Sequence, residues 1–100
     1  MLFAYKIKKL REQKQMPQRL LAAALDIDTA TYCKIERGER RAKREQVAIL
    51  AEVLGTDKEI LLNLWLAEQI YSVVKDEENS EKVLDMVHES IIEYKSGFKK

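Results

Sequence analysis

Only Pro17, Gly38, Gly55 and Gly97 break a chain of 100 residues that otherwise lacks proline and glycine. So few turn-formers cannot supply the many tight turns of an all-β fold, and the composition matches neither collagen nor disorder. Apolar residues instead recur every three or four positions, the spacing of one helix face.

Phe3, Ile7 and Leu10 predict a first helix over 3–14. Pro17 ends it, because proline cannot occupy a helix interior, and suits the first turn of a second helix over 17–24. Leu21, Ala22 and Leu25 face inward there, and Ala22, Ala23 and Ala24 are small enough to admit a close neighbour. After the break "LDID", Asp28 caps a third helix over 28–36, with Tyr32 and Ile35 inside. Gly38 stops it by taking the left-handed conformation. Val47, Leu50, Ala51 and Leu54 mark a fourth helix over 44–54, ended by Gly55. "TDKE" reads as a capping box, Thr56 with Glu59, opening a fifth helix over 57–75. Asn79 or Ser80 opens a sixth over 80–95, with Val83, Val87, Ile91 and Tyr94 along one face. Residues 96–100 read as a frayed tail.

The formal charge of +1 conceals two opposite halves. Residues 1–44 hold 12 Lys/Arg against 5 Asp/Glu, and residues 45–100 hold 6 against 12. A basic half beside an acidic one suggests a polyanion partner at one end. The positive charge peaks in "RGERRAKR", residues 37–44.

Two short helices joined by about three residues have the layout of a helix-turn-helix, whose second helix can enter a DNA major groove about 12 Å wide. Residues 6–66 resemble the Xre and phage-repressor family of helix-turn-helix regulators. The resemblance rests on "IKKLRE" (7–12), "QRLLAAALDI" (18–27), "YCKIERGER" (32–40) and "VAILAEVLG" (47–55). It implies an all-α fold: a five-helix repressor-like domain over 1–66, which binds operator DNA as a dimer with its third helix in the groove. Here the fifth helix is lengthened and a sixth is added, so 57–95 forms a C-terminal extension. Three residues depart from the family pattern. Pro17 stands where a capping Ser or Thr is common, Asp26 where the turn often has glycine, and Ala42 where many members have proline.

Side chains at the start of a recognition helix point into the groove. Those positions are Thr29, Ala30, Cys33 and Lys34, with Thr31 near the DNA backbone. Lys34 can donate to guanine O6 or N7, while Ala30 and the Thr29 methyl can touch a thymine methyl. The resemblance implies that Gln18 bonds a phosphate and braces the recognition helix. It also places Arg37, Arg40, Arg41, Lys43 and Arg44 along the sugar–phosphate backbone, where clustered cations release counterions. By the same resemblance Arg11 forms a structural ion pair with Glu36, although Arg11 alone could also bind phosphate.

"ILLNLWLAEQIYSVV" is apolar on more than one face, which leaves surface for a partner chain. Ile60, Leu61, Leu64, Trp65 and Ile70 are the candidate dimer contacts, and two joined copies would set their recognition helices about 34 Å apart, one turn of DNA. The expected partners are double-stranded DNA and a second copy of the chain. The alternative is an antitoxin-like regulator whose acidic half binds a toxin or other protein antagonist.

Enzymatic readings find no support. His88 has no cysteine near it, and there is no metal-ligand spacing, Gly-rich phosphate loop or nucleophile motif. No metal and no cofactor are expected. Cys33 is the single cysteine, the N-terminal apolar run is too short for a signal peptide, and no stretch approaches 18 apolar residues. A cytoplasmic, nucleoid-associated protein is therefore expected.

Overall fold

A computed structural model describes residues 2–98. It contains six helices: α1 (Phe3–Gln13), α2 (Gln18–Ala24), α3 (Thr29–Glu36), α4 (Arg44–Leu54), α5 (Lys58–Val74) and α6 (Ser80–Phe98). There is no strand among the described residues. The chain divides into two compact units between Gln69 and Ile70, within α5.

In the first unit, α2 packs on α3 and α4, and α1 packs on the same two helices. Phe3, Ile7, Leu21, Tyr32, Val47, Leu50, Leu54 and Leu61 are its largest fully buried side chains. Each such aliphatic or aromatic side chain stabilises the fold by about 1.5–3 kcal/mol. Of the three alanines on α2, only Ala22 lies in the core; Ala23 and Ala24 are exposed, so the close approach to α3 runs through Ala22 alone.

The helix ends follow local chemistry. The Thr31 N–H donates to Asp28 Oδ1 at 2.6 Å and caps α3. That bond holds the Asp28 carboxyl below its usual range, because it favours the charged form. No side chain caps α2, whose N-cap is Pro17. Gly38 and Gly55 adopt φ of +76° and +65° beyond α3 and at the end of α4. Asp26 takes φ of +57° itself, the left-handed role that glycine often fills, and short polar side chains tolerate it.

Two expectations change. Asp57, not Thr56, caps α5: its Oδ1 accepts from the N–H groups of Glu59 (2.7 Å) and Ile60 (3.3 Å). The expected tail is helical through 96–98, as α6 continues to Phe98, while Lys99 and Lys100 lie outside the described residues. Glu68 also joins α5 to α1. Its Oε1 accepts from the Ala4 N–H (3.2 Å), supplying an anion at a helix start that has no side-chain cap of its own.

In the second unit α6 spans 19 residues, and every described side chain from Glu81 to Ser96 is exposed. Among the described residues, no helix is long and apolar enough to cross a membrane.

Candidate nucleic-acid interface

Tyr32 and Ile35 bury one face of α3 and so turn the opposite face outward. On that outer face Thr29, Ala30, Lys34 and Arg37 are exposed, with Thr31 and Cys33 half-buried. Ala30, Lys34 and Arg37 fall at helical spacing, which places them in one row. The structure thus brings the expected groove residues together on one surface.

Cys33 is less available than its position suggests. Its Sγ donates to Gln18 Oε1 at 3.0 Å. The other end of the same amide, Gln18 Nε2, donates to Glu36 Oε1 at 3.1 Å. Gln18 therefore ties the start of α2 to two points on α3.

Beneath this row lies an ion pair. Arg11 Nε and Nη2 donate to Glu36 Oε2 (2.7 Å) and Oε1 (3.1 Å), a two-pronged bond, and Nη1 reaches the Met16 carbonyl (2.9 Å). The Glu36 side chain is only 1% exposed. Burial by itself pushes its carboxyl up. The polar groups of Arg11, Tyr32 and Gln18 that face it, together with the Arg11 charge, outweigh burial and hold it below the ordinary range. The same bond raises Arg11 further. Burial, then the nearby Glu36 carboxylate, push the Tyr32 phenol far up and keep it neutral. Its hydroxyl sits close enough to Glu36 to sense that charge but makes no hydrogen bond of good geometry. Arg11 thus has its Nε, Nη1 and Nη2 groups all bonded within the protein.

The basic loop follows directly. Glu39 and Arg40 donate backbone N–H groups to the Lys34 carbonyl (2.9 and 3.3 Å), folding the loop onto the end of α3. Arg37 pairs with Glu39 at 2.8 Å on the surface, so part of its charge is answered locally. Among the described residues, no acidic side chain forms an ion pair with Arg40, Arg41, Lys43 or Arg44, and all four are exposed. Cations held close together and outside any ion pair are arranged for a polyanion.

One alanine anchors this charged segment. Ala42 is buried in the core between exposed Arg41 and Lys43. Its carbonyl accepts from Trp65 Nε1 at 2.8 Å. Farther on, the Lys43 N–H donates to Gln46 Oε1 (2.8 Å) and starts α4. The loop is thus fastened from below while its arginines point outward.

Residues 7–61 match the family described as Helix-turn-helix. The chain belongs to the helix-turn-helix family, in its Xre and phage-repressor-like form. It is a DNA-binding regulator of that kind. No curated protein and no solved structure gives a significant match. In this helix-turn-helix protein, Trp65 lies outside the matched residues yet holds the basic loop. In the sequence Trp65 reads as a dimer contact, since no pattern links an indole on α5 to a backbone carbonyl 23 residues before it. Leu61 likewise lies fully inside the core and has no surface to offer a partner, while Leu64 and Trp65 pack against that core. Ile60 and Ile70 are exposed.

Trp65→Phe keeps the ring but removes the donor. It is expected to cost about 1 kcal/mol of stability and to lower affinity for random duplex at low salt several-fold. Thermal melting and a fluorescence titration check the two effects; unchanged affinity would show that the loop needs no such anchor.

Proposed function

We propose that this protein is a sequence-specific transcriptional regulator that binds a palindromic operator as a homodimer. It acts by occupying a promoter, with no chemistry of its own. One observation carries the reading: the outer row of α3 and the unpaired cations of the following loop lie next to each other. A row of side chains suited to base edges beside a strip suited to phosphates is what groove reading requires. Thr29, Ala30 and Lys34 would meet bases, with Thr31, Cys33 and Gln18 at the margin. Arg37, Arg40, Arg41, Lys43 and Arg44 would track the phosphates. A homodimer is supported by the length of DNA that a single α3 can read, since two copies about 34 Å apart address two half-sites.

Selection of bound sequences from random duplexes tests this directly, with a palindrome as the expected result. Lys34→Ala should then relax preference at one base position of each half-site, a loss of about 1–3 kcal/mol in discrimination. Titrations against the selected duplex and its single-base variants read that loss. An unchanged preference at every position would remove Lys34 from the groove.

A further inference from the structure

Most of a protein helix's stability comes from packing its apolar face rather than from intrinsic propensity, and α6 spans 19 residues. On α6, Leu84, Val87, Ile91 and Tyr94 are all exposed. Their spacing alternates three and four, the seam of a two-stranded coiled coil.

We propose that α6 is the dimerisation element, pairing antiparallel with α6 of a second copy of this chain. Leu84 then meets Tyr94 of the partner subunit, and Val87 meets Ile91 of the partner subunit. This rests on the dimeric reading above and names its surface, which lies outside the family-matched residues 7–61.

Self-complementarity argues for a second copy. A two-fold interface must present the same pattern when reversed. The seam residues are placed symmetrically about Glu89, which is also the midpoint of Ser80–Phe98, so reversed copies overlap along their whole length.

Charge selects the direction. Glu81 and Lys95 occupy the same flanking position, two heptads apart. In the antiparallel pairing Glu81 faces Lys95 of the partner subunit, and symmetry makes that pair twice. Ser90, small and uncharged, meets its own copy on the other flank at the midpoint. A parallel pairing would instead set Val83 against His88 and Ser90 against Lys95, with no ion pair. It would also bring together the two acidic helix starts, around Glu77, Glu78 and Glu81. Antiparallel helices also align their dipoles favourably.

Sedimentation equilibrium on the full chain without DNA tests the proposal. The wild type should dimerise, and Ile91→Asp, at an exposed position, should weaken the dimer at least about 100-fold by placing a charge in each half of the seam. Helical circular dichroism should be unchanged. Glu81→Lys and Lys95→Glu should each weaken it by about 3- to 10-fold, and the double swap should restore it; these surface variants keep the test decisive even if Ile91→Asp unfolds. A dimer insensitive to Ile91→Asp would overturn the assignment to α6 and leave the dimeric reading standing. A double swap weaker than either single variant would overturn the antiparallel direction. A wild type that stays monomeric, free and on selected duplex, would overturn both readings and give the α6 face to a different protein.

Discussion

Glu36→Ala is expected to destabilise the protein by about 3–5 kcal/mol, because it leaves the largely buried Arg11 guanidinium without its carboxylate. For a domain of this size that lowers the melting temperature by about 12–40 °C. The loss reaches beyond one ion pair. Glu36 also accepts from Gln18, whose amide in turn holds Cys33, so one deletion loosens α1, α2 and α3 together. Replacing both partners by apolar residues, Arg11→Met with Glu36→Leu, should recover much of the stability, since no charge is then stranded. DNA binding should not recover in parallel, because a two-pronged bond sets direction in a way that apolar contact does not. A pH series adds a second readout. The Glu36 carboxyl is held below its ordinary value in the folded chain. The unfolded chain therefore binds that proton more tightly. The stabilisation is fully present above the ordinary carboxylate value of about 4.3 and is lost as pH falls through the lower, folded value. Wild-type melting temperature should drop more steeply below pH 4 than that of Glu36→Ala. Parallel acid profiles would show that the carboxylate contributes nothing particular.

Replacing Arg40, Arg41 and Arg44 together by alanine is expected to lower DNA affinity at low salt by at least about a thousand-fold, with little change in stability. All three are exposed, and none forms an ion pair among the described residues, so the fold loses no partner. What disappears is counterion release. If each protomer engages three or four phosphates, the wild-type dimer should show a log–log salt slope of about −5 to −7. The triple variant should flatten it by about one unit for each phosphate no longer neutralised. Affinity should fall equally on selected and random duplex, since phosphates carry no base information. This separates the loop from Lys34, whose replacement should act on sequence preference. Gel-shift titrations on both duplexes at several salt concentrations decide the matter. A triple variant weakened only on the selected sequence would move the loop from phosphates to bases.

Most of the secondary structure is legible in the residue pattern. The α4 bounds agree at both ends, and those of α1, α2, α3 and α5 differ from expectation by about a residue, because a proline, two glycines and an aspartate cap act locally. Spacing also places Tyr32 and Ile35 inside and Lys34 outside, since helical geometry needs no tertiary information. Errors arise where neighbours compete. Both Thr56 and Asp57 could cap α5, and only the backbone path chooses Asp57. Ala23 and Ala24 resemble Ala22 in sequence, but one turn of helix has only one inner side. The expected end of α6 also falls short, since polar residues near a helix end permit either outcome.

What the chain determined alone is a helix-turn-helix with a basic loop behind its outer helix, because caps, breakers and charge density are properties of contiguous residues. Folding in three dimensions decided what fastens that interface. Glu36 is tied to both Arg11 and Gln18, and Trp65 of α5 holds the carbonyl of the buried Ala42. It also took Leu61 out of the exposed set and closed it in the core. Hydrogen bonds between distant segments depend on where packing brings each donor, and that position is set by the whole core at once.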